Sequence, residues 1–142
     1  MTLSTTIKAL AAAEELAVVS DFDGTLAPIA ADIYDVEINA DAARALNNLA
    51  HLPRTTAAAL SGRHLEGLRR VCPLREAVLF GGSHGAESSW QQTELTPAMR
   101  EHLARKEEEI RGIIDRFPGA ELEVKPFQRV LHLRSLELDS PE

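Results

Sequence analysis

The sequence predicts an α/β fold, with a parallel sheet in the first half of the chain and a smaller α+β unit in the second half. Two observations carry this prediction. Up to residue 86, short apolar runs alternate with helical patterns, which is typical of parallel strands connected by helices. After residue 86, a long helical pattern precedes two segments in which apolar and polar residues alternate, as in antiparallel strands. We therefore expect residues 1–86 and 87–142 to belong to different domains.

Strand and helix patterns alternate through the first half. An Ala- and Glu-rich stretch predicts a helix over residues 7–16. The apolar run at residues 16–20 predicts a strand that is buried on both faces. Asn39 or Asp41 can cap a helix that ends near Leu52. A strand, a short helix and a third strand are then expected over residues 55–60, 64–71 and 77–80.

The second half begins with a polar, turn-rich segment over residues 83–96. Pro97 suits the first position of a helix, which we expect to run to residue 117, before Pro118 and Gly119 end it. Residues 121–125 and 129–136 predict two half-exposed antiparallel strands. This change of pattern is the reason for placing a domain boundary after residue 86.

Composition excludes several classes of protein. The 142 residues include 22 acidic and 15 basic ones, giving a formal net charge of −7, which argues against a general nucleic-acid partner. A single cysteine, Cys72, excludes an internal disulfide and a cysteine-based zinc site. Glu14 and Glu15 interrupt the apolar N-terminal stretch, and no run is long enough for a membrane span. We therefore expect a cytoplasmic protein without a membrane partner.

Two aspartates lie directly after the first strand, in the segment Asp21-Phe22-Asp23-Gly24-Thr25. Their spacing points both carboxylates to the same side of an extended backbone, at the edge where open α/β sheets bind ligands. Two like charges this close are costly unless a cation or a phosphoryl group shares the site. Gly24 permits a tight turn, and Thr25 adds a hydroxyl. The alternative is a pair of loop aspartates that cap the turn.

The second strand ends in Ser61-Gly62-Arg63. Because neighbouring parallel strands end at the same edge, the Ser61 hydroxyl is expected beside the two aspartates, where it can hold a phosphate oxygen. The alternative is a helix-capping serine followed by a turn glycine.

The aspartate segment resembles the first motif of the haloacid-dehalogenase-like phosphatases. The resemblance implies that Asp21 is the nucleophile and Asp23 the general acid and base, with Mg²⁺ at these two aspartates. The Ser61 segment resembles the second motif of the same superfamily, which implies that Ser61 binds the substrate phosphate. The resemblance to this superfamily also implies a parallel sheet of the haloacid-dehalogenase type with an α+β cap domain.

Further segments resemble the trehalose-6-phosphate phosphatases in the same order over residues 17–134. They are Ser61-Gly62-Arg63, the run Gly82 to Glu87, Glu123-x-Lys125 and His132-x-Arg134. The resemblance implies hydrolysis of trehalose 6-phosphate to trehalose and phosphate through an aspartyl-phosphate. The implied substrate-binding residues are Thr25, Ser61, Gly62, Arg63, His84 and Gly85 in the core, and Glu123, Lys125, His132 and Arg134 in the cap. For the cap residues, the alternative is the polar outer face of a hairpin.

The sequence also departs from these phosphatases. Their third motif, a lysine, and their fourth, an acidic cluster that completes the Mg²⁺ site, have no counterpart after residue 134. Three parallel strands are also fewer than the five or six of a typical sheet. We therefore expect a truncated phosphatase, with half of the core and part of the cap, that is poorly active alone. Its first strand would form an open edge that favours self-association.

Two other functions remain open. The same chemistry can act on another sugar phosphate, such as a sucrose or mannosyl phosphate. Alternatively, the chain is a non-catalytic remnant that binds a sugar phosphate or a partner protein.

Overall fold

The computed structural model describes residues 2–30 and 32–133 of the chain. They form two units that divide between Gln92 and Thr93. This division lies beyond the expected boundary after Ala86, because a short strand over Glu87–Ser88 pairs with the preceding strand and keeps that segment in the first unit.

The first unit alternates helices and strands, as the sequence predicts. In chain order, its elements are α1 (Leu3–Ala11), β1 (Leu16–Asp21), α2 (Ala40–Leu49), β2 (Thr55–Leu60), α3 (Leu65–Val71), β3 (Leu79–Gly82), a 3₁₀ turn (Ser83–Gly85) and β4 (Glu87–Ser88). Helix α1 begins earlier than expected because Thr2 caps it, accepting a hydrogen bond from the Thr5 N–H. Strand β3 begins later than expected because the Val78 N–H closes a turn on the Arg75 carbonyl.

Strands β1, β2 and β3 are parallel, and β4 pairs with β3 in the antiparallel direction. The order of the sheet is β1-β2-β3-β4, so among the described residues β1 pairs on one side only. In the register of the first pair, Asp21 lies opposite Leu60. The ends of β1 and β2 therefore bring the predicted first and second motifs together.

Helices α2 and α3 cover one face of this sheet. Leu46 of α2 and Leu68 of α3 are buried there with Phe22 and Ala59, and fully burying a large apolar side chain contributes about 1.5–3 kcal/mol. The prediction that the first strand is buried on both faces is wrong. Its residues alternate between partly buried and exposed, and Val19 is 56% exposed.

The second unit has one long helix and a hairpin. Helix α4 (Pro97–Ile114) is capped by Thr96 and ends before the expected residue 117. Strands β5 (Glu121–Val124) and β6 (Arg129–His132) pair in the antiparallel direction, with Glu121 opposite His132. An ion pair of 2.8 Å between Arg129 of β6 and Glu107 of α4 links the hairpin to the helix.

No helix within residues 2–30 and 32–133 is both long and apolar enough to cross a membrane.

The open edge at β1 generates a prediction. We expect the chain to self-associate as its concentration rises, and Val19→Lys to reduce the fraction of dimer, since a lysine on an edge strand opposes pairing with another chain. Sedimentation velocity over a range of concentrations measures both effects. Leu52→Lys is the matched control, because Leu52 is 53% exposed and lies outside the strands. A wild-type chain that stays monomeric at every concentration contradicts this prediction.

Candidate functional site

The first-motif residues follow β1 in three different environments. Asp21 is exposed at the end of the strand, Phe22 is completely buried, and Asp23 is partly buried. Gly24 has a φ of +82°, a backbone conformation that glycine adopts without steric cost, and its N–H donates to the Ala27 carbonyl over 2.7 Å. The buried Phe22 side chain thus anchors a tight turn between the two aspartates and the next segment.

Ser61 lies against Asp23, at the position that parallel pairing of β1 and β2 predicts. Its hydroxyl donates to Asp23 Oδ2 over 3.3 Å and accepts a hydrogen bond of 3.1 Å from the Arg63 N–H. Ser61 is only 5% exposed. The two motifs, far apart in the sequence, therefore form one polar cluster at the carboxyl edge of the sheet.

The Arg63 side chain points into this cluster and binds Asp23. Its Nε donates to Asp23 Oδ2 over 2.9 Å, and its Nη2 donates to Asp23 Oδ1 over 2.7 Å. These two donors are therefore engaged by a carboxylate of the protein itself. Such a two-point pair is stronger and more directional than a single hydrogen bond.

This pairing sets the charge of Asp23. Hydrogen bonds from Arg63 are the main reason that the pKa of the Asp23 carboxyl lies below its ordinary value. Burial acts in the opposite direction, while the charge of Arg63 and the hydrogen bond from Ser61 add to the lowering of this pKa. Asp23 is therefore a carboxylate at neutral pH.

The two aspartates differ as ligands for a cation. The Asp21 carboxylate is exposed, with no hydrogen bond from residues 2–30 or 32–133, whereas both oxygens of Asp23 accept from Arg63. No group of three His, Cys, Asp or Glu side chains suited to a metal occurs within those same ranges. Mg²⁺ is commonly held by one or two carboxylates together with substrate phosphate and water. The exposed Asp21 carboxylate fits that role.

The turn after β3 is tied to the second motif. The Ser83 N–H donates to the Arg63 carbonyl over 2.6 Å, and the His84 N–H donates to the Ser61 carbonyl over 3.1 Å. Ser83 and His84 have φ values of +50° and +54°, a left-handed conformation that costs about 1–2 kcal/mol for each non-glycine residue. These contacts hold the turn in that conformation beside Ser61.

The imidazole of His84 packs against Gly62. A Cβ atom on Gly62 would lie 2.6 Å from His84 Cε1, so a residue with a side chain would displace the imidazole. The glycine therefore leaves room for the imidazole beside the Ser61 turn. Gly85 and Thr25, the other expected core ligands of the substrate, are both exposed, and Thr25 lies in the turn that follows Asp23.

Glu87 ends the run that resembles the phosphatases, but it was not among the predicted site residues. Its carboxylate accepts hydrogen bonds from the Ser83 hydroxyl and from the Leu65 N–H at the start of α3. His64, the residue before that helix, makes no side-chain capping bond. Two features of the sequence could have indicated this contact. The first is an acidic residue just after the turn that follows β3, and the second is the lack of a good capping residue before α3.

In the second unit, three of the expected cap residues contact one another. Glu123 Oε2 lies 3.4 Å from Lys125 Nζ and 2.9 Å from His132 Nε2, so the three side chains share one face of the hairpin. The Lys125 side chain is 11% exposed and that of His132 is 44% exposed. Arg134 lies outside the described residues.

A family model described as Trehalose-phosphatase matches residues 19–141 of the chain. The trehalose-phosphate phosphatase of Mycobacterium tuberculosis strain H37Rv is 33% identical over 132 residues, which cover 89% of this chain and 33% of that protein. The corresponding protein of Mycolicibacterium paratuberculosis is 35% identical over 129 residues, covering 87% of this chain and 32% of that protein. The chain therefore spans about a third of the length of the curated relatives it matches.

Solved structures are similar as well. The C-terminal domain of C. albicans trehalose-6-phosphate phosphatase matches with a TM-score of 0.76 at 19% identity, covering 98% of this chain and 49% of that chain. A trehalose-6-phosphate phosphatase related protein matches with a TM-score of 0.63 at 25% identity, covering 87% of this chain and 54% of that chain. These likenesses confirm the predicted α/β fold of the haloacid-dehalogenase type.

The ion pair at Asp23 predicts how stability depends on pH. The pKa of Asp23 is lower in the folded chain than in the unfolded one, where it is about 3.9. Its contribution to stability is therefore present above that value and is lost as the pH falls through the folded pKa. We expect the free energy of unfolding to fall between pH 5 and pH 2 (about one unit above the unfolded pKa to well below it) more steeply for the wild type than for Asp23→Asn.

Urea unfolding at a series of pH values measures this slope. Asp35→Asn is the matched control, since Asp35 is exposed and its side chain makes no contact with Arg63 among those that the structure describes. Equal slopes for the wild type and Asp23→Asn would show that the ion pair does not contribute to stability.

Proposed function

The chain belongs to the trehalose-phosphatase family, and from this membership we propose that it carries the nucleophile and the acid–base group of a phosphatase that acts on trehalose 6-phosphate. The products are trehalose and inorganic phosphate. The observation that carries the proposal is the meeting of Asp21, Asp23 and Ser61 at the carboxyl edge of one parallel sheet. The chain spans about a third of its curated relatives, so we expect slow turnover from the chain alone.

In the first step, a carboxylate oxygen of Asp21 attacks the phosphorus atom. The bond between phosphorus and the sugar oxygen breaks, and the sugar oxygen takes a proton through Asp23. The exposed Asp21 carboxylate supports the role of nucleophile, because it is not held by other side chains among the described residues. A covalent aspartyl-phosphate divides the hydrolysis into two easier steps.

In the second step, water attacks the phosphorus atom of the aspartyl-phosphate. Asp23 accepts a proton from that water and releases it to solvent, so that it returns to the ionised form, and Asp21 is released as a carboxylate. The ion pair with Arg63 supports this role for Asp23, since it keeps the carboxylate ionised and therefore able to accept a proton. The proton that Asp23 gives in the first step is supplied by the substrate, because a phosphate monoester with a second pKa near 6 carries one in part of its population.

Ser61 and the turn around His84 are proposed to bind the phosphate. The Ser61 hydroxyl lies beside Asp23, and the His84 imidazole lies over Gly62 in the same turn. Hydroxyl, imidazole and backbone N–H groups are suited to phosphoryl oxygens. Thr25 and Gly85 are exposed at the same edge and complete the proposed core ligands.

Mg²⁺ is the proposed cofactor, held by the Asp21 carboxylate together with phosphate and water. When bound, the ion would neutralise charge on the phosphoryl oxygens. Support comes from the oxygen chemistry of Asp21 and from the like charge of the two neighbouring aspartates.

Sugar recognition is assigned to Glu123, Lys125 and His132. Together they offer hydrogen-bond donors and acceptors that suit sugar hydroxyls, and their mutual contacts order the side chains before the sugar binds. Arg134 belongs to the same proposal through its place in the motif.

The single cysteine is buried, which is compatible with a reducing compartment, and we propose a cytoplasmic location.

The role of Asp21 is tested by Asp21→Asn. An amide is a much weaker nucleophile than a carboxylate, so we expect phosphate release from trehalose 6-phosphate in the presence of Mg²⁺ to fall to the uncatalysed background. Asp115→Asn, an exposed aspartate at the end of α4, serves as the control and should keep the wild-type rate. Undiminished phosphate release by Asp21→Asn would remove Asp21 as the nucleophile.

The role of the second unit is tested by Glu123→Gln and Lys125→Met. We expect each to raise the KM for trehalose 6-phosphate by about tenfold, the effect of losing a hydrogen bond to a charged group. The KM for p-nitrophenyl phosphate should not change, because that substrate has no sugar. Lys106→Met on the surface of α4 is the control. Equal effects of these variants on the KM of both substrates would contradict sugar recognition by this unit. If the wild type hydrolyses a sucrose or mannosyl phosphate faster than trehalose 6-phosphate, that result favours the second candidate substrate class.

A further inference from the structure

Three segments of the first unit meet at the Arg63 guanidinium. Its Nε and Nη2 donate to the Asp23 carboxylate, while its Nη1 donates to the Ile33 carbonyl in the segment that leads to α2. Its central carbon lies 5.4 Å from the centre of the Phe22 ring. The side chain is only 10% exposed. Arg63 is therefore largely enclosed by the protein, with donors on Asp23 and on a neighbouring loop.

We propose that Arg63 is a positioning residue, which fixes the Asp23 carboxylate and joins it to residues 32–38, rather than a ligand of the substrate. This inference rests on the proposed function, in which Asp23 transfers protons. A planar guanidinium that binds both oxygens of a carboxylate fixes its rotation, which a single point charge does not. The third contact, to the Ile33 carbonyl, adds a hydrogen bond that holds the guanidinium itself in place.

A second arginine provides a matched control. The Arg70 guanidinium lies 4.5 Å from the centre of the Tyr34 ring, so it holds the same loop segment at the next residue. It makes no contact with Asp23. Replacing Arg70 therefore weakens one attachment of the loop and leaves the carboxylate pair intact, whereas replacing Arg63 removes both the pair and the contact to Ile33.

The experiment compares Arg63→Lys, Arg63→Gln and Arg70→Gln in the hydrolysis of p-nitrophenyl phosphate. For Arg63→Gln we expect kcat to fall by about tenfold to a hundredfold, the effect of misplacing a reacting group, while KM stays within about threefold. Arg63→Lys should lie between Arg63→Gln and the wild type, because lysine keeps the charge without the planar fork. Arg70→Gln should keep kcat within about threefold of the wild type.

A rise in KM with an unchanged kcat in the Arg63 variants would overturn the proposal, because that pattern belongs to a substrate ligand. Equal losses of kcat in Arg63→Gln and Arg70→Gln would overturn it as well, since the loop alone would then account for the effect.

Unfolding by urea gives a readout that does not depend on turnover. We expect the losses of unfolding free energy caused by Asp23→Asn and Arg63→Gln to be non-additive, as for two groups in one ion pair. The double variant should then be barely less stable than the less stable of the two single variants. Additive losses would overturn the proposal, whatever the activity. A wild-type chain that hydrolyses no phosphate ester would contradict the proposed function, and the double-variant comparison would still decide whether Arg63 fixes Asp23.

Discussion

The parallel pairing of β1 with β2 is the constraint on which the candidate site depends. It places Asp21 opposite Leu60, and the Phe22 N–H continues the pairing by donating to the Leu60 carbonyl over 3.1 Å. The next residues of both strands then leave the sheet side by side. A shift of register would separate Ser61 from Asp23, because consecutive residues of a strand point to opposite faces.

The same short motif gives its two aspartates different surroundings. The completely buried Phe22 holds the backbone between them, so that Asp21 stays exposed while Asp23 reaches Arg63 and Ser61. Two nearby carboxylates can take different roles when their environments differ in this way. The apolar core beneath the sheet therefore sets the surroundings of both carboxylates at its edge, because it fixes the residue that divides the pair.

Local patterns in the sequence were sufficient to predict most helices and strands of the first unit. The strand Thr55–Leu60 and the Asn39 cap of α2 follow from apolar runs and capping residues, and the meeting of the two motifs follows from parallel pairing. The direction of the Arg63 side chain could not be predicted, because it depends on the Ile33 carbonyl and the Phe22 ring, which are distant in sequence. The exposure of β1 was missed for a similar reason: an apolar run shows what can be buried, not which elements are present to cover it.

The contact between Gly62 and His84 links the conformations of two segments that are distant in sequence. A Cβ atom at position 62 would lie 2.6 Å from His84 Cε1, so a larger residue there would push the imidazole out of its present place. The choice of residue at the end of one strand therefore sets the orientation of a side chain that follows another.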